Sequence, residues 1–417
     1  MTIHAEVNVL RGFPPGNMNR DDLGTPKTAV FCGALRLRIS SQCLKRTWRT
    51  SEPFRGAFAE DQLGIRTNRL PEEVLKEIGQ SLDAASQAGL LALLGSIGKG
   101  TKKPKLERDD EDAGDGKEQA TDTATETRTA HLLFLSRQEI EAVGSFTTAK
   151  AKQEVLARVL KKGKVDSQVI SKLRDELQEH LVAKTSRNAI DVGLFGRFVT
   201  SPEFDTIEGA LQVAHAIGTQ KVEIERDFFT AVDDLSDEPG AGHLGETEFA
   251  SSVMYMFCSC DLGQLEENLG ARTKTGRTPD GDARALARKA LPALVRAMAE
   301  STPRGKRTGT APHTPAEYVE VVVRRGAPLS LANAFAKPVD GREANGDVMA
   351  ASIMRLEKHR DRIETAYGRD KDVIARFVLC LRDTEDSAPK TNRVDTMAQL
   401  AERLAGVLAK LPAQVRE

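Results

Sequence analysis

The sequence predicts an α+β fold in which the helices are segregated from a β-sheet. Three observations support this class. Segments with alternating apolar residues lie near both ends of the chain, two long segments rich in Leu and Ala have helical spacing, and an amphipathic segment closes the chain. Strands, then a long helical insertion, then further strands and helices are typical of this class. With 417 residues, the chain is long enough for roughly two or three structural units.

The first elements are two strands separated by a loop. Residues 3–9 alternate with period two, as in a half-buried strand, and a loop rich in Gly, Pro and Asn covers 12–26. Residues 35–39 alternate again, so one face carries apolar side chains and the other carries Arg36 and Arg38. We expect this strand to cover a core and to present both arginines to solvent or phosphate.

The middle of the chain reads as helical. Segments 70–98 and 149–184 are rich in Leu, Ala and Glu with helical spacing. Between them, residues 99–129 consist mainly of Lys, Asp, Glu, Gly and Thr, a composition that cannot bury enough apolar surface to offset the entropy of ordering. We therefore predict a disordered insertion between helices.

The second half of the chain mixes short strands with helices. From residue 190 onward, short strands and Gly-containing turns dominate the pattern. The spacing predicts a helix over 207–217, a strand over 319–323 and a closing amphipathic helix over 396–411.

Composition excludes several classes of protein. Hydrophobic residues make up 40% and charged residues 29% of the chain, mean hydropathy is -0.38, and no apolar run approaches the ~20 residues of a membrane span. The first residues lack the pattern of a secretory signal, so we expect a cytoplasmic protein without membrane contact. Five cysteines argue against a disulfide framework, and Cys258 and Cys260 lack the spacing of a metal site. No cofactor and no metal are predicted.

Charge is distributed unevenly along the chain. The formal net charge is only -1, but residues 1–50 contain eight basic against three acidic side chains, a net charge of +5. Residues 107–118 contain two basic against seven acidic side chains, a net charge of -5. The acidic stretch therefore masks a basic site elsewhere, which is the usual electrostatic signature of a nucleic-acid binder.

The most informative segment follows the second strand. Ser40 or Ser41 is suited to cap a helix, which would bury Leu44 and Trp48 on one side. The opposite side carries polar and basic residues, namely Gln42, Lys45, Arg46 and Arg49. A helix N-terminus followed by a row of cations suits a phosphodiester chain. The alternative is an ordinary solvated amphipathic helix, against which counts the lack of acidic residues three or four positions from Lys45 and Arg46.

Few residues suggest catalysis. Asp21-Asp22 and Asp233-Asp234 are the paired carboxylates that would suit a metal-dependent nuclease. His215 and His243 fit helix packing and a turn better than they fit the role of a base. A metabolic α/β enzyme would need a Gly-rich loop between a strand and a helix, which the sequence lacks.

A further segment predicts a protruding hairpin. Aromatic and apolar residues, Phe228-Phe229-Thr230 and Leu244, flank a turn-rich segment over 233–242. Exposed aromatic side chains on a protrusion indicate a partner surface. The alternative is a hairpin folded back on its own core.

Short motifs lie in colinear order along most of the chain, namely Asn19-Arg20-Asp21-Asp22, Phe31-Cys32-Gly33, Arg38-Ile39-Ser40-Ser41-Gln42, Leu44-Lys45-Arg46, Gly196-Arg197, Ala214-His215-Ala216-Ile217, Phe229-Thr230-Ala231-Val232-Asp233-Asp234, His243-Leu244-Gly245 and Leu331-Ala332-Asn333-Ala334-Phe335. Together they resemble those of CasC, the backbone subunit family of type I-E CRISPR Cascade. Each motif is weak alone, but together they are specific. The acidic insertion departs from the compact pattern of the family.

The resemblance implies a fold with three parts. A ferredoxin-like palm resembling an RNA-recognition motif would carry a helical fingers insertion and a protruding β-hairpin thumb. The implied boundaries are 1–56, 189–218 and 249–417 for the palm, 57–188 for the fingers and 219–248 for the thumb.

The resemblance also implies functional residues. The RNA-binding set would be Arg20, Lys27, Arg38, Ser40, Gln42, Lys45, Arg46, Arg49, Arg197 and Phe198. Phe198 replaces a methionine wedge of relatives, and an aromatic face stacks on any base. Contacts of the thumb with a neighbouring subunit would involve Phe228, Phe229, Thr230, His243 and Leu244.

The implied function is that of a non-catalytic backbone subunit of Cascade. Copies of the chain would polymerise along a CRISPR RNA, bind its phosphate backbone and present its spacer for pairing with target DNA. Further partners would be the large, small, CasD-like and CasE-like subunits. The alternative is a metal-dependent ribonuclease backbone subunit that cuts target RNA with a loop aspartate, as related type III subunits do.

Overall fold

The fold was analysed in a computed structural model that describes most of the chain. The described residues are 2–78, 82–97, 128–161, 164–185, 187–199, 201–231, 243–273, 276–342, 345–382 and 392–412. The prediction of disorder over 99–129 lies outside the described residues, apart from the last two positions of that segment. The predicted α+β class is confirmed by a large mixed sheet accompanied by helices.

The strands and helices have the following bounds. The strands are β1 (Ile3–Gly16), β2 (Thr28–Phe31), β3 (Ala34–Ile39), β4 (Ile65–Thr67), β5 (Leu133–Leu135), β6 (Leu160–Lys161), β7 (Lys164–Val165), β8 (Leu211–Val213), β9 (Ala216–Gly218), β10 (Glu225–Ala231), β11 (His243–Asp261), β12 (Ala271–Thr273), β13 (Gly276–Thr278), β14 (Tyr318–Arg325), β15 (Val373–Cys380) and β16 (Arg393–Val394). The helices are α1 (Ser41–Arg49), α2 (Glu52–Arg55), α3 (Leu70–Ile78), α4 (Ala84–Gly95), α5 (Arg137–Lys152), α6 (Ser167–Lys184), α7 (Ile190–Phe195), α8 (Leu262–Asn268), α9 (Gly281–Glu300), α10 (Arg307–Thr310), α11 (Val348–Tyr367) and α12 (Met397–Lys410).

The chain forms two compact units. The sheet unit comprises Met1–Ala59, Ala210–Glu266 and Gly281–Glu417, and the helical unit comprises Glu60–Gly209 and Glu267–Asp280.

In the sheet unit, the strands follow the order β16-β15-β14-β1-β11-β9-β3-β2. All these pairs are antiparallel except β15 with β16. The strand predicted over 319–323 is present as β14, and the predicted closing helix is present as α12. Because β1 pairs with both β11 and β14, it lies in the middle of the sheet.

Strand β1 is more deeply buried than its alternating sequence predicts. All its residues from Ile3 to Arg11 are buried, because α9 packs on one face of the sheet and α11 on the other. Buried ion pairs stabilise the polar side chain of Glu6 on this strand. Arg324 Nε donates to Glu6 Oε1 at 2.9 Å and Arg324 Nη2 donates to Glu364 Oε1 at 2.6 Å. The expectation of a half-buried strand was therefore wrong.

The helix predicted over 207–217 is absent. Residues of this segment form β8 and β9 instead, and β9 lies between β3 and β11. Ile217 pairs with Tyr255 of β11 and with Arg38 of β3. Sheet pairing on both sides outweighs the local helical spacing, as often happens for short segments.

The helical unit has a core of its own, formed by leucines and other apolar residues of α3, α4, α5 and α6. The predicted helices over 70–98 and 149–184 are each divided in two. Asp166 caps α6 by accepting hydrogen bonds from Gln168 N and Val169 N. A new helix therefore starts here, and α6 does not continue α5. The unit also contains 189–209, a segment that the sequence analysis placed in the palm.

Candidate nucleic-acid interface

The helix predicted after the strand over 35–39 is present as α1, which follows β3. Ser40 is its N-cap, and the Ser40 hydroxyl accepts a hydrogen bond from Cys43 N at 3.3 Å. Leu44 and Trp48 are buried, with 2% and 1% of their surfaces exposed. These two anchors fix the orientation of the helix, so the opposite face is directed outward.

The outward face of α1 carries the predicted cations. Gln42 and Arg46 are exposed, whereas Lys45 and Arg49 are half-buried. Burial lowers the pKa of Lys45. In the part of the chain that the structure describes, no carboxylate lies within ion-pair distance of Lys45 or Arg46. Their charges are therefore available to an external anion.

The N-terminus of α1 is not an open anion site, contrary to the sequence expectation. Asn19 Oδ1 accepts a hydrogen bond from Ser40 N at 2.7 Å, and His215 Nδ1 accepts one from Ser41 N at 3.1 Å. Because the Ser40 hydroxyl also caps the helix, it is already engaged within the protein. The backbone donors at this end are largely satisfied, so the contribution of α1 lies along its side.

His215 has a structural task at this helix end. Burial, reinforced by the nearby charges of Arg38 and Lys27, lowers the pKa of His215. A neutral ring with an unprotonated Nδ1 is the form that can accept the hydrogen bond from Ser41 N. The sequence analysis expected a packing residue here and missed the capping role.

The loop before β2 places Arg20 and Lys27 beside β3. Lys27 N donates to Asn19 O at 2.8 Å, and Arg38 N donates to Lys27 O at 2.9 Å. Arg20 is exposed and Lys27 is half-buried. The same residue, Asn19, also caps α1, so the predicted loop cations and the α1 face belong to one connected framework.

Asp21 closes this loop. Its carboxylate accepts hydrogen bonds from Leu23 N at 3.0 Å, from Thr25 N at 2.9 Å and from the Thr25 hydroxyl at 2.5 Å. These hydrogen bonds lower the pKa of Asp21. Asp22 is exposed, and Asp233 and Asp234 lie outside the described residues. Among the described residues, no group of three or more His, Cys, Asp or Glu side chains is placed to hold a metal ion.

The two arginines of β3 have different environments. Arg38 is half-buried, and its Nη1 lies 3.5 Å from His215 Nδ1. Arg36 is fully buried and donates to the carbonyl oxygens of Gly218, Thr219 and Phe335 at 3.0, 2.7 and 2.8 Å. The expectation that Arg36 faces solvent or phosphate was wrong, because these backbone acceptors enclose its guanidinium.

A basic loop after α9 escaped the sequence analysis. Arg304, Lys306 and Arg307 are exposed. Gly305 allows this loop to pack closely against the start of the loop that contains Arg20, since a Cβ atom at Gly305 would lie 2.3 Å from Met18 O. The three cations thus sit next to the segment that leads to Arg20. Three basic residues within four positions were the signal that the sequence offered.

In the helical unit, Arg197 and Phe198 have opposite environments. The Arg197 guanidinium is buried, donates to both Glu139 carboxylate oxygens at 2.9 Å, and also donates to Phe134 O at 3.1 Å. It is not accessible to RNA in this structure, so the predicted direct contact is replaced by a positioning role. Phe198 is 79% exposed and presents its ring to solvent.

The predicted thumb residues lie on the ladder between β10 and β11. Phe229 pairs with Gly245, Thr230 pairs with Leu244 and Ala231 pairs with His243. Phe228 is 66% exposed and Phe229 is 44% exposed. Residues 232–242, at the predicted tip, lie outside the described residues.

The predicted thumb segment is strongly acidic, a feature that the sequence analysis did not use. Residues 219–248 contain nine acidic and two basic side chains, a net charge of -7 with neutral histidine. Phosphates and this segment repel each other, whereas the basic surface around α1 attracts phosphates.

No helix within the described residues is long and apolar enough to cross a membrane.

Comparison with known proteins gave one family and several solved structures. Residues 5–405 match the sequence model of a family described as CT1975-like protein. A chain of a "CRISPR RNA-guided surveillance complex, pre-nicking" has a TM-score of 0.73 and 26% identity, covering 97% of this chain and 100% of that chain. A chain of a "CRISPR RNA-guided surveillance complex" has a TM-score of 0.55 and 21% identity, covering 97% and 98%, and indicates a similar fold. No curated protein matches the sequence.

Proposed function

Because the chain belongs to the CT1975-like protein family, we propose that it is an RNA-binding backbone subunit of a CRISPR RNA-guided surveillance complex. The family match covers nearly the whole chain, and a similar solved chain comes from such a complex. Both support the resemblance to the Cascade backbone subunit that the motifs indicated. The partner of first importance is a CRISPR RNA.

The observation that carries the proposal is the basic surface of the sheet unit. The α1 face, the loop containing Arg20 and the loop from Arg304 to Arg307 are joined through the backbone of residues 17–19. Within this surface, Lys45 and Arg46 have no carboxylate within ion-pair distance among the described residues, and a row of cations suits several successive phosphates of one strand. Contacts of this kind carry no sequence information, so the subunit accepts any guide sequence.

The parts of the family architecture map onto the two units. We assign the palm, with its RNA-recognition-motif-like fold, to the main sheet and its helices, the fingers to the helical unit, and the thumb to β10 and the part of β11 that pairs with it, residues 243–249. The motifs and the order of helices and strands support this assignment.

The thumb is assigned to protein contacts rather than to phosphate contacts. Its exposed Phe228 offers an apolar surface to a partner, and its excess of acidic residues disfavours nucleic acid. A further copy of the chain, bound to the next stretch of RNA, supplies such a partner. Copies thereby polymerise along the guide.

The remaining contacts follow from Phe198 and from the guide itself. The exposed Phe198 ring stacks on a base of any type, which orders the guide without reading it. Target DNA is then recognised by base pairing with the guide. Other Cascade subunits, of the large, small, CasD-like and CasE-like kinds, complete a complex that acts in the cytoplasm.

We propose that the subunit is not an enzyme. The Asp21 carboxylate, which a ribonuclease mechanism would need, accepts three hydrogen bonds that close its own loop. A carboxylate engaged in this way is a structural group. This engagement of Asp21 counts against the ribonuclease alternative, for which the exposed Asp22 is the remaining carboxylate of this loop.

Co-expression with a CRISPR RNA tests the proposal. The wild-type chain should elute as a large particle with a high ratio of absorbance at 260 nm to that at 280 nm. Charge reversal at Lys45 and Arg46 should prevent particle formation, whereas the same reversal at Lys358 and Arg362, exposed on α11, should not. Elution of the wild-type chain as an RNA-free monomer at low salt would refute an RNA-binding function.

A further inference from the structure

A polar pocket of 450 Å³ lies in the sheet unit at the C-terminal end of α1. One wall is formed by residues 47–53 and the other by residues 300–313, at the end of α9 and in the basic loop. The volume is far larger than the ~30 Å³ of one water molecule and falls within the ~300–1,000 Å³ range of small-ligand sites. The pocket can therefore hold a group of nucleotide size.

A buried cation, Arg11, contacts the wall that residues 300–313 form. Arg11 is fully buried, and its guanidinium donates to Ser301 O at 2.6 Å and to the Thr302 hydroxyl at 2.6 Å. Its Nε has no hydrogen-bond partner among the described residues, and burial lowers the pKa of Arg11 to about 10. The group is still charged at neutral pH.

The buried charge of Arg11 has no counter-ion on the described part of the chain. None of the ion pairs found between described residues includes Arg11. Ser301 and Thr302, which receive its hydrogen bonds, both line the pocket. The Ser301 hydroxyl is also buried without a hydrogen-bond partner among the described residues. A buried charge that is not neutralised favours an anion in the adjoining space.

The pocket wall combines donors with acceptors. Arg304, Arg307 and His313 supply cationic or donor groups, while Glu52 and Glu300 supply carboxylates, and Glu300 is paired with Arg296. A bare inorganic phosphate would be attracted by the cationic residues and repelled by the carboxylates. A nucleotide satisfies both, because its phosphate pairs with arginine and its sugar hydroxyls or base amino groups donate to carboxylate oxygens.

The backbone of the second wall is strained. Lys306 and Ala311 have φ values of +43° and +41°, in the left-handed region that residues other than glycine rarely adopt. Such conformations persist where the surrounding structure enforces them, and they concentrate at ligand sites. The loop is thus held in one shape before any ligand arrives.

We propose that this pocket holds one nucleotide of the bound RNA strand, with its phosphate facing Arg304 and Arg307 and its sugar or base edge facing Glu52. The inference rests on the proposed RNA-binding function. The pocket opens where α1 ends, so a strand that follows the α1 cations reaches it directly.

Photocrosslinking tests the pocket with single-stranded RNA that contains 4-thiouridine. Crosslinked peptides should include residues 47–53 or 300–313. Arg304→Gln with Arg307→Gln should remove these crosslinks and reduce the slope of log affinity against log salt by ~0.7 for each lost phosphate contact. The matched control is Lys358→Gln with Arg362→Gln on α11, which should change neither readout.

Competitors identify the bound group. Free 5′-UMP at millimolar concentration should suppress the pocket crosslinks, whereas inorganic phosphate at the same concentration should not. Equal suppression by phosphate would reveal a simple anion site and overturn the proposal.

The outcomes also separate the pocket from the general function. If the wild-type chain binds RNA but crosslinks only elsewhere, and the pocket variant has the same slope as the control, the pocket proposal is wrong while RNA binding stands. If the wild-type chain binds no RNA at all, both proposals fall together.

Discussion

Arg197 and Glu139 form a buried ion pair immediately before the exposed ring of Phe198. The Arg197 Nη1 atom lies 2.9 Å from each carboxylate oxygen of Glu139, and each side chain is 1% exposed. Residues 58 positions apart in the sequence thus fix the backbone from which Phe198 projects. Arg197, next to the proposed stacking residue, therefore pairs within the protein, whereas the ring of Phe198 is exposed.

Glu139→Gln should destabilise the helical unit by about 3–5 kcal/mol, because Arg197 would be left as an uncompensated buried charge. Chemical denaturation followed by circular dichroism measures the loss. Glu141→Gln is the control, since Glu141 lies on the same helix but is exposed. A loss below about 1 kcal/mol would show that the pair contributes little to stability.

Lys45→Ala with Arg49→Ala should weaken RNA binding without unfolding the protein, because Trp48, which anchors the helix, is untouched. Two lost phosphate contacts should reduce the salt slope by about 1.4. Fluorescence anisotropy with labelled RNA at several salt concentrations measures this slope. Lys358→Ala with Arg362→Ala removes two exposed cations with the same spacing on α11 and should leave the slope unchanged.

Phe198→Ala should weaken binding by about 1–3 kcal/mol for any guide, because stacking is independent of base identity. Assembly with two guides of unrelated spacer sequence tests this expectation. Similar losses for both guides are expected. A large difference that follows individual bases would mean that the subunit reads base edges.

Phe229→Ala should reduce particle size more than RNA affinity, because we assign the thumb to contacts between copies. Analytical ultracentrifugation reports the size of particles on a long guide, and binding to a short RNA that accommodates one copy reports intrinsic affinity. A loss of affinity for the short RNA with unchanged particle size would contradict the assignment.

His215 should make stability depend on pH. Its pKa is lowered by burial and by Arg38 and Lys27, so the folded state binds fewer protons than the unfolded state between the folded value and the usual ~6.5. Stability from this group is therefore present above pH ~6.5 and is lost as the pH falls through the folded pKa.

His215→Asn isolates this contribution, because an amide oxygen can still accept the hydrogen bond from Ser41 N but does not titrate in this range. The wild-type free energy of unfolding should fall relative to that of the variant as the pH decreases below 6.5. Parallel pH profiles for the two proteins would show that His215 keeps the same pKa in both states.

Structural features that depend only on residues close together in the sequence could be predicted from it. Helix α1 follows from its capping serine and from the spacing of Leu44 and Trp48, all within nine positions. The burial of Arg36 could not be predicted in this way, because the carbonyl groups that accept its hydrogen bonds lie about 180 and 300 positions further along the chain. Partners that distant become visible only when the fold brings them together.

The same limit applies to the surface around α1. The cap from His215 and the position of the loop from Arg304 to Arg307 both depend on contacts between segments far apart in sequence. The short strands β8 and β9 were mistaken for a helix because their pairing with β3 and β11 outweighs local preference. Periodicity alone contains no information about such pairing.

The central position of β1 has a consequence for synthesis on the ribosome. His4 pairs with Asp261 and Val7 pairs with Val321, so both partner strands of β1 are synthesised much later than β1 itself. At roughly 5–20 residues per second, translation from β1 to the end of β14 takes on the order of 15 to 60 seconds. Until β11 is made, β1 has neither of its native neighbours, and until β14 is made one of its edges stays unpaired. Pairings between such distant segments form slowly. Because an unpaired strand edge can pair with other chains, newly made chains are exposed to aggregation until β14 emerges.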